Sequence, residues 1–154
     1  MENLKMNALT LFQQVPLFAG LEAETIEFLA QVSQPLQIKG GEFVVREGTP
    51  GNTMYLVAGG EVEVVKRAGT GEEVVLACLR TNDFFGEMSI VEVVNRSASV
   101  RALGGTELFS LKNSDLHHLY QKWPKEYAVL ILNLARDLSR RLRKLDEHFA
   151  ARAH

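Results

Sequence analysis

Apolar positions change their period twice along this 154-residue chain, and the changes divide it into three stretches. The first reads as helix. A short helix over 8–14 ends at Pro16. A second spans 21–32, with Leu21, Thr25, Phe28, Leu29 and Val32 on one face and Pro35 closing it. Phe12, Leu17 and Phe18 are the residues expected to anchor this lead-in. From Gly40 the spacing shortens to alternation. Runs at 42–46, 53–58, 62–66, 74–79, 97–102 and 106–112 are rich in β-branched and aromatic residues. Eleven of the twelve glycines fall between Gly40 and Gly105, at the joints of these runs. Glu61-Val62-Glu63-Val64 shows the alternation plainly, valines in and glutamates out. Gly48-Thr49-Pro50-Gly51-Asn52 has the composition of a turn. The third stretch is helical again. Ser114 is placed to cap a helix through Gln121, and Pro124 suits the first turn of a long helix over 124–150. Its apolar positions Tyr127, Ile131, Leu134, Leu138, Leu142, Leu145 and Phe149 run close to a heptad stripe.

The expected fold is therefore mainly β with flanking α-helices. It is an antiparallel sandwich or roll behind a helical lead-in (1–38), with the roll over 39–112 and C-terminal helices over 113–150, all one domain. Hydrophobic content of 46% and a net charge of −2 suit an ordinary globule and give no basic excess for nucleic acid. The single cysteine, Cys78, sits in an apolar run and reads as a small buried hydrophobe. With no partner for a disulfide it points to a reducing cytoplasm. The first residues, MENLKMN, are too polar for a signal peptide, and the longest apolar run, 127–132, is too short to span a bilayer.

The stretch DFFGEMSIVEVVNRSASVRA, residues 83–102, carries the candidate chemistry. It reads as strand, tight turn, short helix, turn, strand. Gly86 lets backbone approach a ligand closely. Backbone N–H groups from Gly86 to Ser89 open a helix and suit a small anion, and Arg96 can bring a planar fork of donors to the same place. A carboxylate, Glu87, beside an anion site makes sense if the ligand also donates a hydroxyl. A phosphate plus a ribose hydroxyl meets both needs.

Phe85-Gly86-Glu87 followed by Arg96-Ser97-Ala98 closely resembles the phosphate-binding cassette of cyclic nucleotide-binding domains, the family of catabolite activator proteins, kinase regulatory subunits and nucleotide-gated channels. The likeness extends over about residues 17–145. Ser89-Ile90 replaces a commoner Ala-Leu, and Asn95 stands where many members have Pro. Neither change removes a ligand-contacting group. The resemblance implies a jelly-roll-like β-roll, a double-stranded β-helix, that binds a cyclic nucleoside monophosphate without catalysis. It implies ligand contacts from Phe85, Gly86, Glu87, Met88, Ser89, Arg96, Ser97 and Ala98, with Val64 and Leu79 as apolar walls. At Ser97, members that prefer cyclic GMP more often carry Thr, so cyclic AMP is favoured over cyclic GMP. The long helix is expected to close over the base, with Arg141 and Leu142 as its contacts and Leu138, Leu142 and Leu145 as an apolar lid. The basic cluster Arg140, Arg141, Arg143 and Lys144 reads as a solvated face, with the sharper alternative that Arg140 or Arg141 lies over the bound base. The same stripe permits a weak homodimer, and an effector protein would read the helix movement.

Two other classes were weighed. Metal-dependent enzymes on small β-rolls need histidines on the barrel strands, but His117, His118, His148 and His154 all fall outside the β region, so neither a metal nor catalysis is expected. A DNA-binding relative would append a helix-turn-helix, and too few residues follow Ala150 for one, so a free-standing sensor is expected. The alternative function is a protein-interaction scaffold whose pocket is vestigial or takes another small anion.

Overall fold

The computed structural model describes residues 2–91 and 94–152, and of residues 2–7, 89 and 91 the backbone alone. Helix α1 (Glu2–Gln14), a single 3-10 turn (Pro16–Phe18) and α2 (Ala23–Val32) lead into eight strands. These are β1 (Gln34–Ile38), β2 (Phe43–Val45), β3 (Thr53–Gly59), β4 (Val62–Lys66), β5 (Val74–Leu79), β6 (Phe84–Phe85), β7 (Ser99–Ala102) and β8 (Thr106–Lys112). The short helix α3 (Met88–Val91) interrupts them between β6 and β7, and α4 (Asn113–Lys122) and α5 (Pro124–Arg152) follow. The strands form two antiparallel four-stranded sheets, ordered β1-β8-β3-β6 and β2-β7-β4-β5. This is the expected roll with flanking helices.

One face of the first sheet carries the helices. Met54, Leu56, Phe109 and Leu111 meet Phe12, Leu17, Phe18 and Leu29 of the lead-in and Leu116, Leu119, Leu130 and Leu134 of the last two helices. Phe12 tilts against Phe18 at 5.2 Å between centroids and meets Phe109 edge-on at 6.1 Å. Full burial of such side chains stabilises the fold by about 1.5–3 kcal/mol each, so this cluster dominates the packing energy. The other face meets the second sheet through a smaller cluster of Val57, Val62, Phe85, Val100 and Leu108. The roll is thus solid where helices cover it and thinly filled between its sheets.

The structure departs from the sequence reading in several places. Residues 34–38, assigned to the helical lead-in, form strand β1, which pairs with β8 from Gln34↔Ser110 to Ile38↔Thr106. Pro35 is tolerated there because β1 is an edge strand and does not need its N–H in the ladder. The first helix begins at Glu2, not at residue 8. Ser114 lies inside α4; the carboxylate of Asp115 accepts from the Lys112 N–H at 2.9 Å and closes that helix's first turn. Cys78 is exposed, not buried, because β5 is the edge of its sheet. Its thiol is pushed up from its ordinary value by local desolvation and by Glu61, whose carboxylate accepts from Sγ at 3.5 Å.

Helix α5 packs on the apolar core only along its first half. Asn133 is buried and donates from Nδ2 to the carbonyls of Leu17 and Ala19 at 2.9 and 2.8 Å. Past Leu138 every described residue of α5 is exposed. No described helix is long and apolar enough to cross a membrane.

Candidate functional site

A cavity of about 570 Å³ opens between the second sheet, the 83–98 segment and α5. The sequence-predicted residues Val64, Leu79, Phe85, Gly86, Glu87, Met88, Arg96, Ser97, Ala98 and Arg141 all line it. Leu142 does not: it is 61% exposed and turned elsewhere. The Ser89 side chain and all of His154 lie outside the described residues.

The apolar wall comes from Val45, Val64, Ala77, Leu79 and Val100, on adjacent strands of the second sheet. Phe85 supplies the opposite wall and is stacked on Tyr55 at 5.1 Å. Gly86 has φ +80, a conformation open to glycine at little cost. It also needs to be small. A Cβ there would lie 2.8 Å from both Arg96 Nη1 and the Thr53 carbonyl oxygen.

Arg96 is held by backbone, not by charge. Its Nη2 donates to the Thr53 carbonyl at 2.8 Å. Its own N–H bonds to the Thr49 carbonyl, and its carbonyl accepts from the Gly48 N–H, both at 2.8 Å. The 48–51 turn therefore clasps the arginine. Gly51 makes room for it: a Cβ at Gly51 would stand 2.3 Å from Arg96 Nε and 2.5 Å from Cζ. The sequence reading took Gly51 as a turn residue only. Nothing local marks a glycine that serves a side chain 45 positions later. Among the described residues no carboxylate lies within ion-pair distance of Arg96, which leaves a cation facing the cavity with a neutral partner. Such a group is suited to an anion.

Glu87 is buried, and its Oε1 accepts from Arg141 Nη1 on α5 at 2.8 Å. Arg141 Nε stands 2.9 Å from Asp137 Oδ2, one helical turn back, and its guanidinium lies over the Phe84 ring at 5.3 Å. The face of α5 turned to the cavity carries Asp137, Arg140, Arg141 and Lys144. This corrects two expectations. The basic cluster, apart from Arg143, is a wall of the cavity and not merely a solvated face. The apolar stripe does not line the cavity: Leu138 packs on the helix core, while Leu142, Leu145 and Phe149 are exposed. The reason is helical geometry. Burying Leu130, Leu134 and Leu138 fixes the rotation of α5, and positions 137, 140, 141 and 144 then form the row facing the roll. The described residues hold no group of three or more His, Cys, Asp or Glu placed to bind a metal.

Comparison with known proteins bears on the fold and the family. Over 111 residues the chain is 39% identical to a putative potassium channel protein of Rhodopseudomonas palustris, covering 72% of this chain and 26% of the relative. It is 36% identical over 131 residues to the cyclic AMP receptor protein of Thermus thermophilus, covering 85% of this chain and 59% of the relative. The chain thus spans about a quarter to three-fifths of these two relatives. The crystal structure of the Thermus thermophilus catabolite activator protein superposes with a TM-score of 0.75 at 35% identity, covering 88% of this chain and 62% of that one. A cyclic nucleotide-binding domain from Methylobacillus flagellatus superposes at 0.83, covering 98% of this chain and 85% of that one; at 24% identity it speaks to the fold. The sequence profile of the cyclic nucleotide-binding domain matches residues 35–122, which run from β1 to the end of α4 and include every cassette residue. With that match over more than half its length, the chain belongs to the cyclic nucleotide-binding domain family.

Proposed function

We propose that this chain binds a cyclic nucleoside monophosphate in the cavity under α5 and acts as a regulatory sensor, without catalysis of its own. The observation that carries the reading is the convergence of Gly86, Glu87, Arg96, Ser97 and Ala98 on one cavity, with Arg96 lacking a described carboxylate partner. In this reading the cyclic phosphate sits against Arg96, Ser97, Ala98 and the backbone at Gly86, Met88 and Ser89. Glu87 accepts from the ribose 2′-hydroxyl. Val64 and Leu79 on one side and Phe85 on the other flank the sugar and base. A volume of 570 Å³ is within the usual range for a small-ligand site, so the cavity is built and not collapsed. That favours a working pocket over a vestigial one.

Cyclic AMP is the favoured ligand over cyclic GMP, on the strength of Ser97, whose shorter side chain stands where members preferring cyclic GMP more often carry Thr. Ligand binding moves the exposed second half of α5, and an effector protein reads the change. Exposed Leu142, Leu145 and Phe149 give that helix an apolar stripe for the effector or for a weak homodimer. The exposed thiol of Cys78 suits the reducing cytoplasm, and the net charge of −2 offers no basic excess for nucleic acid.

Calorimetric titration with cyclic AMP, cyclic GMP and linear 5′-AMP tests the reading. Cyclic AMP should bind most tightly and the linear nucleotide least. Binding of inorganic phosphate or of the linear nucleotide as tightly as the cyclic one would favour a general anion site instead.

A further inference from the structure

Among the described residues the two sheets end in four edge strands, and three of them are blunted. β1 carries Pro35, β2 has three residues and β6 has two. A proline or a short length keeps an edge from pairing with another chain. β5 has neither protection. It runs six residues, Val74–Leu79, with no proline and no charge. Val74, Val75 and Leu76 follow one another at 43%, 51% and 55% exposure. Leu76 has no register partner on β4, which pairs Val64 with Ala77 and Val65 with Val75. The cavity takes only Ala77 and Leu79 from this strand. The apolar row before them has no part in the ligand site.

We propose that β5 is a self-association edge. Two copies pair their β5 strands antiparallel about a two-fold axis at Leu76, which joins their second sheets into one. The charges at the ends of the strand select a second copy as the occupant. Glu72 and Glu73 precede β5 and Arg80 follows it. Glu72 and Arg80 lie equally far from Leu76, so antiparallel pairing sets each Glu72 opposite the second copy's Arg80. Parallel pairing would set like charges together. Both side chains are exposed and loosely held: Glu72 meets Arg67 at 3.9 Å, and Arg80 meets Glu61 at 3.7 Å. The pairing also gives partners to the edge N–H and C=O groups and covers the apolar row. The bulge at Leu76 twists the strand and confines the contact to a short stretch. The dimer is therefore weak, half-formed at about 0.1 mM, as suits an interface below about 1,200 Å². This surface is separate from the stripe on α5, and the proposal does not depend on which ligand the cavity takes.

Sedimentation equilibrium on nucleotide-free protein, from about 10 μM to 1 mM, tests it. Native protein should move from monomer to dimer across that range. Arg80→Glu and Glu72→Arg should each weaken association about tenfold, because both exposed ion pairs become repulsive. An equal mixture of these two variants should associate like native protein, since every opposed pair again has opposite sign. The double variant should do the same. Leu76→Lys should remove association, while Leu142→Lys on α5 should leave it unchanged. Thermal melts at low concentration should stay near native for all variants, because every altered side chain is exposed. A native protein that stays monomeric throughout would overturn the proposal. So would a mixture that associates no better than its components. Association lost with Leu142→Lys and kept with Leu76→Lys would assign the interface to α5 instead.

Discussion

Two arginines five positions apart sit in opposite electrostatic settings. Arg101, on β7, lies on the outer face of the second sheet. Its Nε donates to Glu63 Oε1 at 2.8 Å, and Nη1 and Nη2 each donate to a different oxygen of Glu73 at 3.1 Å. Both carboxylates hold its guanidinium firmly protonated, and its charge is spent on the sheet. Arg96, just before β7, lines the cavity and bonds to a neutral carbonyl. The contrast separates a structural cation from one set out for a ligand. Residue type does not distinguish them; the partners that the fold brings to each do.

That contrast breaks most sharply under substitution. Arg96→Ala should weaken cyclic AMP binding about tenfold to hundredfold, the equivalent of losing one charge-assisted contact of about 1.5–3 kcal/mol. Its melting temperature should stay close to native, since the half-buried side chain bonds to one neutral carbonyl and has no described carboxylate partner. Arg101→Ala should do the reverse. Affinity should hold within about twofold while the melting point falls slightly, as loss of a solvent-screened surface ion network would produce. Paired calorimetry and thermal melts check both. Matching losses of affinity in the two variants would remove the distinction.

The second prediction sharpens how Arg96 is aimed. Gly51→Ala puts a Cβ where the Arg96 guanidinium now lies, while Gly71→Ala adds a Cβ with no neighbour within 4 Å. Neither glycine has a positive φ, so backbone strain is not the variable. Gly51→Ala should cost about tenfold in affinity, about 1.4 kcal/mol, by pushing the guanidinium off its line. Gly71→Ala should bind as native. Equal affinity in both variants would show that the turn does not position Arg96.

Much of this site was legible before any coordinates. Phe85-Gly86-Glu87 and Arg96-Ser97-Ala98 form a local signature, and glycine spacing with alternating valines marks the roll. What could not be read was anything set by two distant segments. Gly51 serves Arg96 through space, and the same residue in any turn would look alike. The cavity face of α5 depends on which row of the helix the core claims first. Leu130 and Leu134 claim theirs, and that turns Asp137, Arg140, Arg141 and Lys144 inward while leaving Leu142 outside. A near-heptad stripe gives the period but not the rotation. Cys78 was misread for a related reason. Apolar neighbours suggest burial, but β5 is an edge strand, and strand order is a property of the whole sheet.

The smallest expected effect lies on the structural side of the comparison and is read by pH. The Arg101 guanidinium, first, and then the Gly69 N–H hold the Glu73 carboxyl below its ordinary value of 4.5. A carboxylate favoured in the folded state contributes stability that is fully present above its unfolded value and is lost as pH falls through its folded one. Native protein should therefore show no contribution from Glu73 to the change in melting temperature between about pH 5 and 7, and a decline that begins below about pH 4.5. Glu73→Gln removes the titrating group. The native protein should melt slightly higher than this variant at pH 7, and the gap should close on acidification, because protonated Glu73 offers Arg101 no more charge than glutamine does. Glu73 is solvent-exposed and screened, so the gap should also shrink with added salt. Cyclic AMP affinity at pH 7 should be the same in both proteins, since the outer face of the sheet does not touch the cavity. A gap that persists unchanged to low pH would mean that hydrogen-bond geometry, and not charge, is what Glu73 gives to Arg101.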